Sequence, residues 1–184
     1  TANAANASWL SSNVGESPRP MIRPAQTSDA PQIAELFHRT VREVNAAHYT
    51  PAQIQAWAGG KPEPEKWLAR LLVKRTFVYE RDGRVCGFVE FEETGHIDAL
   101  YGRAESQRQG VASQLLLRVE TEAELLGLDR LFTEASITAR PFFQARGFNV
   151  IEPQEVWYRG CTFTNYRMER NRLTQVPEPT RSVP

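Results

Sequence analysis

The segment Gln107-Arg108-Gln109-Gly110-Val111-Ala112 limits the possible folds of this chain more than any other. It joins an apolar strand, Ile97 to Tyr101, directly to a long apolar-striped helix that begins near Val111. Glycine at Gly110 lets the backbone approach a ligand closely. The amide N–H groups opening the helix can then converge on one anion, with the helix dipole adding attraction. The segment reads as a phosphate cradle and argues for a cofactor that carries a pyrophosphate. Its spacing, Q-x-x-G-x-A, matches neither the Walker loop, which needs Lys and Ser or Thr after its last glycine, nor the dinucleotide fingerprint with three spaced glycines. A plain strand-to-helix connection would use the same residues, so the surrounding pattern has to decide.

At 184 residues the chain has the usual size of one domain with a substantial core. Lysine plus arginine equals aspartate plus glutamate at 22 each, so no global field recruits nucleic acid or an acidic membrane surface. Cys86 and Cys161 lack the paired spacing of a metal site and are expected as free thiols in a reducing compartment. No run approaches the roughly eighteen apolar residues that span a bilayer, and no basic start precedes an apolar block. A soluble, cytoplasmic protein is expected. Residues 1–20, rich in Ala, Asn and Ser, are expected to be a disordered arm or added sequence. Residues 21–171 should form a single domain, followed by a flexible proline-rich tail over 172–184.

Periodicity orders the elements inside that domain. A short strand over Met21 to Pro24 precedes a helix with Ile33, Leu36, Phe37, Thr40, Val41 and Val44 on one face, for which Asp29 and Gln32 offer a capping box. Thr50-Pro51-Ala52-Gln53 starts a second helix, ended by Gly59-Gly60, and a third holds Trp67, Leu68, Leu71 and Leu72. Strands Phe77 to Arg81 and Arg84 to Phe91 flank the hairpin signal Asp82-Gly83, and His96 to Tyr101 follows. The long helix carries Val111, Leu115, Leu116, Val119, Ala123 and Leu126 on one face and Arg118, Glu122 and Glu124 on another. A strand at Leu131 to Ala135 and a short helix at Ala139 to Arg146 come next. Final strands run through Phe148 to Ile151 and Val156 to Met168, with Gly160 at their turn. The expected class is α+β: a mixed, mostly antiparallel sheet of six or seven strands flanked by helices, with one parallel crossover through the long helix.

This order of elements and motifs resembles the GNAT superfamily of N-acetyltransferases. In that family a Q/R-x-x-G-x-G/A turn and the helix after it hold the pyrophosphate of acetyl-coenzyme A, and Gln107 to Ala112 fit that pattern with Ala112 in place of the second glycine. The later stretch Ala139-Arg140-Pro141-Phe142-Phe143-Gln144-Ala145-Arg146-Gly147-Phe148 resembles the family's helix that ends in Gly-Phe after an aromatic pair. The resemblance spans Met21 to Met168 and implies acetyl transfer from acetyl-CoA to an amine. It assigns the cofactor to Leu100, Tyr101, Gly102, Gln107, Arg108, Gln109, Gly110, Val111, Ala112, Ser113, Phe142 and Phe143.

An acyl thioester already carries a good leaving group, so such a site must mainly position donor and amine and manage one proton. The edge Leu100 to Gly102 can pair with the amides of the pantetheine arm, which places the reacting carbon beside the strand His96 to Tyr101. Alternation sets His96, Asp98 and Leu100 on one face and Ile97, Ala99 and Tyr101 on the other. His96 is the expected base, with Asp98, Glu92 and Glu90 as reserve carboxylates. The family's tyrosine acid has no counterpart here, because its position holds Phe143; water or the imidazolium at His96 would supply that proton. Cys161 is an alternative acyl carrier.

The resemblance places the acceptor against the first two helices and the final hairpin, hence His48, Tyr49, Trp57, Trp157, Tyr158 and Asn165. Aromatics there suit an apolar or cationic amine. A small-molecule amine and a peptide or protein amine both remain open, as do monomer and homodimer. Two other classes compete. One is a catalytically weak acyl-CoA-binding or sensing module, suggested by Phe143. The other is a metal hydrolase, for which one histidine and carboxylates on short strands match no usual ligand set, so no metal is expected.

Overall fold

Asp82 (φ 52°) and Gly83 (φ 73°) both adopt left-handed backbone, and this two-residue turn folds β2 (Arg75–Arg81) back onto β3 (Arg84–Phe91). Residues 20–171 are described in the computed structural model; the expected arm over 1–19 and tail over 172–184 lie outside them. With β1 (Met21–Pro24) and β4 (Ile97–Gly102), the hairpin makes an antiparallel sheet in the order β1-β2-β3-β4. A second antiparallel sheet sets β7 (Cys161–Asn171) between β5 (Arg130–Ser136) and β6 (Asn149–Tyr158). The last hairpin differs from expectation: β6 continues through Pro153 to Tyr158 and turns at Arg159-Gly160. Its position at the sheet edge tolerates a proline in mid-strand.

Helices cover both faces of the first sheet. α1 (Ala30–Glu43) and α3 (Pro64–Leu71) bury Ile33, Leu36 and Trp67 against Val78, Val85 and Phe88. On the other face, α4 (Val111–Leu125) buries Val111, Leu115, Leu116, Val119 and Ala123 with Phe77, Val89, Phe91 and Ile97. The same core reaches Leu131, Met168, Phe143 and Phe148 from the second sheet and α5 (Arg140–Gln144). α2 (Pro51–Ala58) starts on the expected box: Gln53 N–H donates to the Thr50 hydroxyl at 3.3 Å and Thr50 N–H to the Gln53 side chain at 2.8 Å. No helix among the described residues is long and apolar enough to cross a membrane.

Three local expectations are corrected. Asp29 does not pair with Gln32. It accepts from Gln26 N–H at 2.7 Å and from both terminal nitrogens of Arg23, while Gln32 accepts from Val85 N–H at 3.0 Å. Glu122, placed on the polar face of α4, is buried because Arg75 and Arg118 neutralise it, and Leu126 of the expected apolar stripe is 38% exposed beyond the helix end. The third concerns β4, where Glu90 pairs with Ala99 but Phe91 pairs with Ile97, leaving Asp98 as a bulge. That extra residue breaks the simple alternation: Ile97 packs with Leu100 in the α4 core, whereas Ala99 packs with Tyr101 under α1.

The two sheets meet at one point. His96 and Phe132 form a parallel bridge, in which Phe132 N–H donates to Gly95 carbonyl at 3.0 Å, and the Thr133 hydroxyl donates to Ile97 carbonyl at 2.8 Å. Gly95 (φ 90°) is required for this approach, since a Cβ there would lie 2.2 Å from Arg130 carbonyl. The expected parallel crossover is therefore a single clasp, after which β4 and β5 belong to different sheets. A cleft opens where a ladder would otherwise continue.

Candidate active site

The cleft between β4 and β5 continues into a cavity of about 910 Å³. Along one wall run Asp98 to Arg103, then Gln107, Arg108 and Gly110 to Ser113; Thr133 to Ser136 and the α5 residues Phe142 and Phe143 form the other. The turn at its mouth depends on two left-handed residues, Arg108 (φ 58°) and Gly110 (φ 82°). Nothing lies within 4 Å of a Cβ built on Gly110, so glycine is needed there for its backbone angle and the approach stays open. Gly110 caps α4 without any side-chain hydrogen bond. The N–H groups of the first turn lack intrahelical acceptors and are left for a ligand anion.

Of the residues expected to hold the cofactor, Leu100, Tyr101, Gly102, Gln107, Arg108, Gly110, Val111, Ala112, Ser113, Phe142 and Phe143 border this cavity. Gln109 does not: its side chain donates to Glu105 carbonyl at 2.8 Å and accepts from Arg81 at 2.7 Å, bracing the turn from outside. Two cations unmarked in the sequence reading, Arg103 and Arg146, also border it. Arg146 bonds the Ser113 hydroxyl, beside the helix start. The walls thus combine cationic side chains with a space of about 910 Å³ beside the open helix start, and the residues present fit coenzyme A.

A smaller cavity of about 270 Å³ adjoins the first. It brings together Tyr49, Trp57, Tyr158 and Asn165, drawn from α2, the loop before it and the last hairpin, and adds Val156, Phe163 and Thr164. Trp57, Glu134 and Ser136 border both cavities. Of the remaining acceptor candidates, His48 borders the large cavity, with Nδ1 3.1 Å from the Thr138 hydroxyl, and Trp157 is 71% exposed outside both.

His96 lies at the clasp, borders neither cavity, and stacks on Phe132 with ring centroids 4.9 Å apart. Its Nε2 is 2.6 Å from Glu134 Oε2; a carboxylate only accepts, so this nitrogen carries the hydrogen. Nδ1 faces Glu92 at 3.5 Å. The imidazole therefore reaches the cleft through Glu134, a residue the sequence reading passed over although strand alternation sets it beside Phe132 and Ser136.

The reserve carboxylates sit in an ion-pair chain behind that wall. Arg70 Nε reaches both oxygens of fully buried Glu90 at 3.0 Å and Nη2 reaches Asp98 at 2.5 Å; Lys74 joins Asp98 at 2.8 Å and also bonds Glu92. Burial opposes ionisation of Asp98, but Lys74 and Arg70 outweigh it and hold the carboxyl below its ordinary range. The hydrogen bond from Lys74 likewise lowers Glu92. Both are poor proton acceptors at neutral pH. Burial pushes the Tyr101 phenol up, so it stays protonated. Phe143 is buried against Phe142 and Phe148, and neither Cys86 nor Cys161 borders either of these two cavities.

With this geometry in place, comparison with known proteins defines the class. The acetyltransferase (GNAT) domain family matches residues 45–170. An uncharacterized N-acetyltransferase of Escherichia coli, YafP, is 36% identical over 148 residues, covering 80% of this chain and 93% of that protein. The peptidyl-lysine N-acetyltransferase YiaC of the same organism is 27% identical, covering 72% and 85%. Among solved structures, a GCN5-related N-acetyltransferase from Rhodopseudomonas palustris aligns with TM-score 0.78 and 28% identity over 84% of this chain and 97% of its own. PaiA N-acetyltransferase from Thermoplasma acidophilum, solved with coenzyme A, shares the fold at TM-score 0.70 and 19% identity over 84% and 99%. The chain belongs to the GNAT acetyltransferase family, an acetyl-CoA-dependent class of N-acetyltransferase.

Proposed function

We propose that this protein transfers an acetyl group from acetyl-CoA to a primary amine by direct attack within a ternary complex. The observation that carries this reading is the shared wall: Trp57, Glu134 and Ser136 border both cavities, so two reactants seated in them meet there. The amides opening α4 would hold the pyrophosphate, and the edge Leu100 to Gly102 the pantetheine amides. When bound, acetyl-CoA supplies the activated acyl thioester. Glu134 accepts the proton of the incoming ammonium, leaving the nitrogen lone pair free for the acyl carbon. His96 holds that carboxylate from behind through its Nε2 hydrogen. Phe143 contributes packing and no proton; the coenzyme A thiolate, whose thiol has a pKa of about 8.5, would leave without a side-chain acid and take up the second proton shed by the amine nitrogen as the amide forms.

Steady-state initial rates of thiol release, with acetyl-CoA and a panel of primary amines varied together, test this reading. Intersecting double-reciprocal lines are expected. Parallel lines with an acetylated Cys161 would replace direct attack by an acyl-enzyme route. Saturable acetyl-CoA binding with no amine-dependent thiol release would instead support a sensing module.

A further inference from the structure

One wall of the larger cavity comes from α1 and the short turn after it, Asn45–Ala47. Its polar side chains are engaged, with one exception. The Thr40 hydroxyl donates to Gly102 carbonyl at 3.0 Å, Glu43 accepts from Arg39 Nε at 2.9 Å, and His48 lies against the Thr138 hydroxyl. Asn45 is the exception. It is only 4% exposed, its backbone carbonyl accepts from His48 N–H at 2.8 Å, and its carboxamide makes no hydrogen bond with any described residue. Among the described residues, the side-chain atoms sealed from water without a partner are Arg103 Nη1, Arg118 Nε, Arg140 Nε and Asn165 Oδ1. Neither atom of the Asn45 carboxamide belongs to that group, so both keep contact with open space, and the space Asn45 borders is the larger cavity. Burying a carboxamide without a partner gains nothing for folding. A ligand group that both donates and accepts would satisfy it.

The edge of β4 indicates which group that is. Arg103 N–H donates to Cys86 carbonyl at 2.9 Å and Gly102 pairs with Gly87. Antiparallel alternation therefore turns the N–H and C=O groups of Leu100 and Gly102 away from β3 and into the cleft, where an extended chain can pair with them. The Gly102 carbonyl already accepts from Thr40. An arm with two secondary amides laid along this edge finds free backbone groups at Leu100 and an occupied acceptor at Gly102. Asn45, just beyond Thr40 on the same cavity wall, offers both an acceptor and a donor.

We infer that Asn45 binds the pantetheine arm of coenzyme A, its carboxamide pairing with the amide of the arm that the Gly102 carbonyl, held by Thr40, does not serve. This rests on the reading of the larger cavity as the coenzyme A site. It adds to that site a side chain from the turn after α1, remote in sequence from the turn at Gly110.

Calorimetry on the full chain with coenzyme A, and with adenosine 3′-phosphate 5′-diphosphate as the same nucleotide without the arm, tests the assignment apart from turnover. Asn45→Ala should weaken coenzyme A about tenfold, as expected for one amide hydrogen bond in a buried site, and leave the armless nucleotide within about twofold. Because the carboxamide bonds nothing in the free chain, the thermal midpoint of the unliganded variant should hold or rise. Should Asn45→Ala fail to fold, Asn45→Ser carries the same comparison of the two ligands. Unchanged coenzyme A affinity overturns the inference, as does equal weakening of the armless nucleotide, the mark of a scaffold defect. A raised amine KM with coenzyme A affinity intact also overturns it, by assigning Asn45 to the acceptor. No saturable coenzyme A binding by the unaltered chain would overturn the donor site and the inference together. The expected binding pattern with no thiol release from any amine supports the inference and defeats only the transfer reading.

Discussion

The cleft proposed for the donor and the cavity proposed for the acceptor share a wall but are built in opposite ways. Around Gly110 the donor cleft uses backbone: a left-handed turn, the free amides of a helix start, and a strand edge released where β4 parts from β5. The acceptor cavity uses side chains from segments far apart in sequence, Tyr49 and Trp57, Glu134 and Ser136, Val156 and Tyr158, Phe163 to Asn165. Backbone recognition fixes an element order and tolerates much side-chain change. Side-chain recognition leaves the fold alone and changes with single residues. One fold can therefore keep its donor while altering its acceptor.

Variants at the shared wall and on either side of it would break or sharpen that contrast. The largest effect is expected at the wall itself: Glu134→Gln should lower kcat by roughly 10²–10⁴-fold, the usual worth of a positioned proton acceptor, with acetyl-CoA affinity held within about twofold in calorimetry. His96→Ala, acting through Glu134, should lower kcat by a smaller factor in the same assay. On the donor side, Gly110→Asp places a like charge in the anion cradle and a Cβ on a left-handed backbone (φ 82°), and should weaken acetyl-CoA by about 100-fold. Equal damage to amine KM and donor affinity in that variant would erase the distinction between the two halves. On the acceptor side, Tyr158→Ala should raise amine KM by about tenfold through loss of a cation–π wall, with donor binding unaffected.

The smallest effect separates scaffold from site. Asp98 and Glu92 are held below their ordinary values of 3.8 and 4.5, so their pairing stabilises the fold above those values and is lost as pH falls through the lowered ones. Both are partly exposed, which limits the contribution to about 1 kcal/mol or less. Asp98→Asn should flatten the fall of thermal midpoint below about pH 4 and leave the neutral-pH rate profile in place. A shift of the kcat profile near neutrality in this variant would mean that Asp98 takes part in proton transfer.

The same contrast explains what was legible in the sequence. Gln107 to Ala112 announces the turn into α4 because a turn needing φ > 0 before a helix demands glycine at one place, and Asp82-Gly83 announces its hairpin for a similar reason. The candidates Tyr49, Trp57, Tyr158 and Asn165 came from family resemblance, and composition alone could not assemble them. Glu134 stayed hidden because a glutamate on the open face of a strand looks like any solvated charge until the clasp at His96 and Phe132 brings β4 beside it. The bulge at Asp98 has no signature either: it arises from the register of β3 against β4, and it moves Leu100 to the other face from the one that simple alternation assigns. Asp29 and Glu122 show the same limit, since Arg23 on β1 and Arg75 on β2 overrode their local roles.

A crystal structure of the full chain with acetyl-CoA tests the central claim most directly. The account predicts pyrophosphate oxygens within hydrogen-bonding distance of the N–H groups of Gly110 to Ser113, and the acyl carbon in the space bordered by Trp57, Glu134 and Ser136. A diphosphate seated elsewhere, or an acyl carbon remote from Glu134, would contradict it.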